Sequence, residues 1–386
     1  MLGAGALGLG FLGPELSPDY RMVYVDIPEK GELLDAMTRT GQYQFNETGP
    51  SARVVTVQGV RGVSAADAEA VQKVLDEADV VFTAVGEPNL SKVAPTLAPA
   101  AARRDAKRPL RVLCCENGLD IAKRCRGFIE SLLGGPAGGR LIVGDTVMGR
   151  MCKIVSPPEQ GIALVAPGQN WAVAAEPFFG IPVPREAMEG LKEPGAAFQV
   201  MSEAEFKAQE DVKMMAHNGL HAFLAFLGHL RGKKYFCELT DDKQIMGMAQ
   251  KMLTDEAGAA MLKKHGRALD RTFYLNYAPT ILRRITCPGF RDEIARGTRG
   301  TMRKLEPWER LIGGVRTIAS QGISPQVYMV GVAAAIVVAR RAGETEMSFR
   351  DVLTRHCTLD EEKEADLIAL AEGRRGWLRQ EFGAES

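Results

Sequence analysis

The chain has 386 residues, more than one ordinary hydrophobic core organises, so two domains are expected. Apolar residues make up 46% and charged residues 25%, as in a globular protein, and the formal net charge is zero. That balance excludes a broad nucleic-acid footprint, and an anionic metabolite then has to be held by a few local cations.

From the start of the chain, the segment Met1-Leu2-Gly3-Ala4-Gly5-Ala6-Leu7-Gly8 fits G-x-G-x-x-G at Gly3, Gly5 and Gly8. The chemistry asks for a tight turn at the first glycine, backbone open to a pyrophosphate at the second, and close helix–strand approach at the third. An apolar run over 22–25 ends in Asp26, where an acid binds ribose hydroxyls. Ile27-Pro28-Glu29 follows, with no arginine and a further acid that repels a 2′-phosphate, so NAD is expected over NADP. Only Met1 and Leu2 precede the turn, whereas the motif normally follows a strand; a start roughly 4–8 residues earlier is expected.

Further β-like runs follow at 53–57, 80–85, 111–115 and 141–143, with helical stretches at 65–77 and 90–102. This alternation predicts an α/β, Rossmann-type N-terminal domain with a mostly parallel sheet, over residues 1–199. Residues 163–199, with Pro177, Pro182, Pro184 and Pro194, read as extra strands and a connection. Helical spacing then dominates, at 205–230, 241–264, 269–284, 307–321, 325–342, 361–372 and 375–382, so residues 200–386 form an all-α C-terminal domain. The apolar run 327–338 is too short to span a bilayer and reads as a buried helix. The seven cysteines are odd in number with no C-x-x-C spacing, which favours a reducing, cytoplasmic compartment over a disulfide framework or a zinc site.

The most informative helix runs from Glu210 to Leu224. At 100° per residue, Lys213, His217 and His221 fall within about 80° of one another, with Asn218 about 60° further round. Most other positions are apolar, so the lysine is expected to be desolvated, which lowers its proton affinity and suits it as a general base. Spacing alone leaves a second reading open, in which Lys213 extends to water and the histidines fill core positions. A zinc site of the H-E-x-x-H type needs glutamate after the first histidine, and Asn218 stands there.

Lys213-x4-Asn218-x2-His221 matches the K-x4-N-x2-H signature of the polyol-specific long-chain dehydrogenases, and the chain resembles that family nearly end to end. Within it the likeness is to members acting on a polyol phosphate. Gly3-Ala-Gly5-Ala-Leu-Gly8-Leu-Gly10-Phe11 is similar to the family's G-A-G-x-x-G-R-G-F, with Leu9 for the arginine. Thr83-Ala84-Val85-Gly86 and Cys115-Glu116-Asn117 match its T-A-V-G and C-E-N. Asp145 with Arg150, and Arg299 with Arg303-Lys304-Leu305, resemble two further blocks. The resemblance implies metal-independent, NAD-dependent oxidation of a polyol phosphate to a ketose phosphate. Lys213 is then the base, and Asn218 and His221 hold the reacting oxygen. Gly3, Gly5, Gly8, Asp26, Val85, Gly86 and Asn117 are implied at the cofactor, and Asp145, Arg150, Arg299, Arg303 and Lys304 at the substrate. Asp145 replaces an asparagine of enzymes acting on unphosphorylated polyols, and an anion there suits substrate hydroxyls better than an oxyanion. Gly149 and Thr301 stand where an acid and a proline are usual, and Cys287 precedes Pro288 where asparagine is common. Two alternatives stay open: a reductase of a hexuronate or unphosphorylated ketose, and a non-catalytic dinucleotide-binding protein. The expected partner is a small molecule, with neither nucleic acid nor membrane, and the chain a monomer with a dimer also open.

Overall fold

Uninterrupted apolar runs bounded by turns become strands buried on both faces. In the computed structural model, which describes residues 1–118, 120–159, 161–191 and 195–383, Pro194 lies outside the described residues. Strands follow in chain order as β1 (Met22–Asp26), β2 (Gln42–Glu47), β3 (Arg53–Gln58), β4 (Val60–Ser64), β5 (Val81–Thr83), β6 (Leu110–Cys114), β7 (Leu141–Asp145), β8 (Cys152–Val155), β9 (Ala172–Ala175), β10 (Ile181–Pro184) and β11 (Phe198–Met201). The chain divides into two units, Met1–Phe206 and Lys207–Ser386.

In the first unit β1 pairs with β4, and β5, β6 and β7 pair in that order, all in parallel. Leu2 bridges the two groups, facing Val25 on one side and Thr83 on the other. Leu2 N donates to Phe82 O at 2.7 Å and Gly3 N to Val25 O at 2.9 Å, so the glycine turn is anchored to both strands. Beside Met1 a cavity of about 510 Å³ is lined by Met22 and Val23 of β1 and by Val81 and Phe82 of β5. Alternate strand residues point to opposite faces. Tyr24, Phe82, Leu113 and Cys115 therefore join one apolar cluster, and Val25, Val81, Val112 and Cys114 the other. Helices Ala68–Glu77, Leu90–Arg103 and Ile121–Leu133 cover the second face.

The β-like run at 53–57 does form a strand, but in a separate mixed sheet of order β3-β2-β9-β8. β2 and β3 are joined by a short loop, which permits only antiparallel pairing, here Gln42 opposite Gln58. The Pro- and Gly-rich stretch supplies β9, β10 and β11.

The second unit is helical. Its centre is Tyr328–Arg341, buried from Tyr328 to Ala339. That helix packs against Gly219–Leu230 and Ala365–Phe382, and Gly331 lets Phe223 come within 3.0 Å of where a Cβ would stand. Among the described residues no helix is long and apolar enough to cross a membrane. The two helical stretches expected at 361–372 and 375–382 are one helix, Ala365–Phe382, running through Gly373. Ala371 and Leu378, seven positions apart, are both buried, so packing carries the helix past the glycine.

Candidate active site

In the first unit, Gly3 has φ +105°, and a Cβ there would lie 2.4 Å from Ala84 O. A Cβ on Gly8 would lie 2.4 Å from Gly3 O, while Gly5 has open space around it. Asp26, at the end of β1, accepts from Ala4 N at 2.6 Å and from Ile27 N at 2.7 Å, which fixes a carboxylate beside the turn. Strain at Gly3, open backbone at Gly5 and an acid at the next strand's end fit a dinucleotide pyrophosphate and ribose.

Gly86, at φ +85°, and Asn117 are exposed, and Val85 is half-buried. Glu116, quoted only as part of a motif, braces this region. It accepts from Thr83 Oγ1 at 2.6 Å, Val85 N at 3.1 Å and Cys115 N at 3.1 Å. Burial pushes its carboxyl above the ordinary range even against those bonds.

Asp145, ending β7, accepts from Ala122 N at 2.8 Å and so caps the helix Ile121–Leu133. The Arg150 side chain is only 1% exposed and stands in the core of the unit. It pairs with Glu47 at 3.3 Å and Glu15 at 3.6 Å, and Nε donates to Glu176 O at 2.6 Å. The Phe178 ring fills the space beside Gly149, leaving no room for an acid there.

In the second unit the helix Glu203–Asp211 continues through a π turn, Val212–Asn218, into Gly219–Leu230. Gly219 N–H reaches back five residues to Met214 O. In an α-helix Lys213 and Asn218 stand about 140° apart, but a π turn stacks residues five apart. His221, three further on in α geometry, lies near Asn218. Spacings of five and then three thus bring Lys213, Asn218 and His221 to one face. His217, grouped with them by α-helical spacing, is buried, with Nδ1 3.3 Å from Tyr277 Oη. Burial, reinforced by Lys213, Arg284, His221 and Arg310, drives its proton affinity well below the ordinary value and keeps it neutral.

A π turn displaces a carbonyl from the helical ladder, and here a tyrosine takes it. The Tyr328 hydroxyl lies 3.0 Å from Met215 O and 2.5 Å from Arg310 O, and Gly219 leaves the room for it. Tyr24 and Tyr43 do the same for Gly8 O and Leu9 O in the π turn Gly8–Leu12, and Tyr274 for Leu253 O in Met252–Gly258. Tyr328→Phe is therefore expected to relax the turn and rotate Asn218 away from Lys213. The expected cost is about 1–3 kcal/mol of stability and on the order of 10- to 100-fold in kcat, read by denaturant melts and steady-state rates.

The Asn218 side chain is largely buried, and its carboxamide makes no hydrogen bond among the described residues. Lys213 is half-buried. His221 Nε2 lies 3.2 Å from Asp292 Oδ2, a partner 71 residues away that no local pattern indicated. Asp292 also receives Arg296 Nε at 2.7 Å. Burial alone would raise the Asp292 carboxyl, but His221 and Arg296 outweigh it and hold it far below the usual range.

Arg299 is exposed, and its side chain makes no ion pair among the described residues. Arg303 pairs with Glu309 at 2.8 Å. Lys304 is buried and donates to Arg299 O; burial, with Arg310 and Arg303 nearby, lowers its ammonium to about 8. Thr301, in place of a proline, is fully buried and donates to Thr298 O at 2.9 Å.

A glycine turn between parallel strands, an acid closing the next strand, and a helical unit presenting lysine, asparagine and histidine define a nicotinamide-dependent dehydrogenase of Rossmann type. The chain belongs to the mannitol dehydrogenase family: residues 1–139 match the mannitol dehydrogenase Rossmann domain and residues 205–369 the mannitol dehydrogenase C-terminal domain. It is 31% identical over 340 residues to a mannitol-1-phosphate 5-dehydrogenase of Arthrobacter sp., covering 86% of this chain and 84% of that protein. It is 28% identical over 335 residues to the mannitol-1-phosphate 5-dehydrogenase of Emericella nidulans, covering 83% and 81%. Among solved structures, Pseudomonas fluorescens mannitol 2-dehydrogenase, in a ternary complex with NAD and D-mannitol, shares the fold with TM-score 0.77 at 15% identity, over 98% of this chain and 91% of that one. A D-sorbitol dehydrogenase in substrate-free form gives TM-score 0.73 at 15% identity, over 99% and 93%.

Proposed function

We propose that the chain oxidises a polyol phosphate to a ketose phosphate with NAD, in the manner of mannitol 1-phosphate going to fructose 6-phosphate. The relatives named mannitol-1-phosphate 5-dehydrogenase support the substrate class. The observation that carries the chemistry is the π turn, whose five-residue spacing matches Lys213 to Asn218, while the Asn218 carboxamide makes no hydrogen bond among the described residues.

The Gly3–Gly8 turn, Asp26, Val85, Gly86 and Asn117 would hold NAD, which when bound would supply the hydride acceptor. Lys213 Nζ takes the hydroxyl proton, as a general base in a partly desolvated site can. Asn218 Nδ2 donates to the oxygen as negative charge develops on it. His221 meets the substrate's hydroxyls. Arg299, exposed and without an ion pair among the described residues, is assigned to the phosphate, which a guanidinium clamps with two parallel bonds. Arg303 and Lys304, tied to Glu309 and to Arg299 O, shape and charge that turn. The reading takes the working unit to be a cytoplasmic monomer.

The test is NADH formation from mannitol 1-phosphate, from unphosphorylated mannitol and from a panel of other polyol phosphates. Activity confined to phosphorylated substrates supports the reading. Turnover that ignores the phosphate moves the assignment to an unphosphorylated ketose or a hexuronate. Arg299→Ala is expected to raise KM for the phosphorylated substrate by about tenfold or more with kcat little changed, since uniform binding is lost. An unchanged KM takes Arg299 out of the site.

A further inference from the structure

We infer that Asp292 fixes His221 as a hydrogen-bond acceptor toward the substrate, so that His221 reads a second hydroxyl beside the one oxidised and not the reacting oxygen. The substrate half rests on the proposed oxidation of a polyol, and the histidine half on the hydrogen-bond geometry around the ring.

His221 Nε2 faces Asp292 Oδ2 at 3.2 Å, and the Asp292 side chain is 1% exposed. Arg296 donates to both oxygens of the same carboxylate, Nε to Oδ1 at 2.7 Å and an Nη to Oδ2. An ionised carboxylate only accepts, so the Nε2 hydrogen has to come from the imidazole. Burial, set against the pull of Asp292, keeps the ring's proton affinity below its ordinary value, and a neutral imidazole carries one hydrogen. Nδ1 is therefore bare, and it has no partner among the described residues. The Phe236 ring packs tilted against the imidazole at 4.5 Å between ring centroids, and Phe236 N donates to Asp292 O at 3.0 Å, so ring and carboxylate are held by the same segment. Gly297 adjoins the ring edge, where a Cβ would come within 3.2 Å of Cε1.

The reacting carbinol has one hydroxyl proton, and that proton goes to Lys213 Nζ. The carbon-bound hydrogen leaves with its electron pair to the nicotinamide, and the carbon–oxygen bond becomes a carbonyl. The oxygen's lone pairs accept from Asn218. A bare nitrogen offers nothing to that oxygen, because lone pair would face lone pair. A hydroxyl on a neighbouring carbon does carry a proton to donate. His221 then separates polyols from simple secondary alcohols.

The first test is a long-range proton–nitrogen spectrum of the wild-type protein labelled with ¹⁵N-histidine, with His221→Gln to assign the signal. The Nε2–H tautomer is expected; an Nδ1–H tautomer or a protonated ring overturns the inference. The second compares the substrate with its deoxy analogues at each carbon next to the oxidised one. One analogue is expected to lose on the order of a hundredfold or more in kcat/KM in the wild type. In Asp292→Asn, whose amide can donate to Nε2 and reverse the tautomer, that preference is expected to fall to a fewfold. Equal use of both analogues by the wild type, or a preference unchanged in Asp292→Asn, refutes it. If Asp292→Asn does not fold, the wild-type spectrum still decides. If no polyol is oxidised, the proposed function fails, while the spectrum reports on the histidine separately.

Discussion

Lys213→Ala is expected to lower kcat for polyol oxidation by about 10²–10⁴-fold, with the dissociation constant for NAD and the thermal midpoint little changed. The lysine sits in the π turn Val212–Asn218, half-buried, with its helix apolar on most other sides. NAD contacts are assigned to the first unit, so truncating a side chain in the second leaves them intact. Lys213→Arg is expected to fail to rescue, because a guanidinium does not give up its proton in a protein and cannot act as the base. Steady-state rates, a NAD titration by fluorescence and a thermal melt on the same preparations check the three parts. A fall in kcat of less than about tenfold removes Lys213 from the role of base.

Arg150→Ala is expected to act on stability instead. The guanidinium pairs with Glu15 and Glu47, whose side chains are 9% and 7% exposed, and it lies within 6 Å of the Phe11, Phe45 and Phe179 rings. Burial already pushes the Glu15 carboxyl upward, against a Gly180 N–H bond and Arg150 itself, which both pull it down. Removing the cation strands buried Glu15 and leaves Glu47 with the exposed Arg53 at 3.0 Å, at a cost of about 3–5 kcal/mol. For a unit of this size that corresponds to a melting point lower by roughly 6–20 °C. Calorimetry and KM measured side by side distinguish the roles: a substrate contact predicts raised KM at an unchanged melting point, and that outcome would refute the structural reading.

Much of the nucleotide half is legible from short segments. The strain at Gly3 follows from a turn motif eight residues long, and Asp26 is found by counting to the end of the next apolar run. The opposite-face placement of Cys114 and Cys115 follows from the strand period of two. The same spacing logic misleads where the backbone leaves its usual period. Counting at 100° per residue groups Lys213 with His217 and puts Asn218 off the arc, whereas the π turn aligns Lys213 with Asn218 and buries His217. The resemblance to a known signature singled out Lys213, Asn218 and His221 without a geometric reason for the spacing.

Other positions depend on partners far along the chain. Arg150 looks like a free cation until Glu15, Glu47 and the Glu176 carbonyl close around it. Asp145 looks available until the helix at Ile121 presents Ala122 N. Lys304 reads as part of a basic surface block, yet its ammonium turns in to Arg299 O, leaving Arg299 outside. Asp292 carries no signal of its own that would tie it to His221.

By itself the sequence determined the parallel nucleotide-binding sheet, the helical second half, and the glycine turn with its acid. Each is encoded in periodicity or in a motif a few residues long, which local backbone geometry reads directly. Tertiary structure decided that β2 and β3 join a separate mixed sheet, that Arg150 is a core ion, that Tyr328 holds the π turn, and that Asp292 stands behind His221. Those outcomes turn on which distant segments pack together, because a buried charge or displaced carbonyl takes whatever partner the fold brings to it.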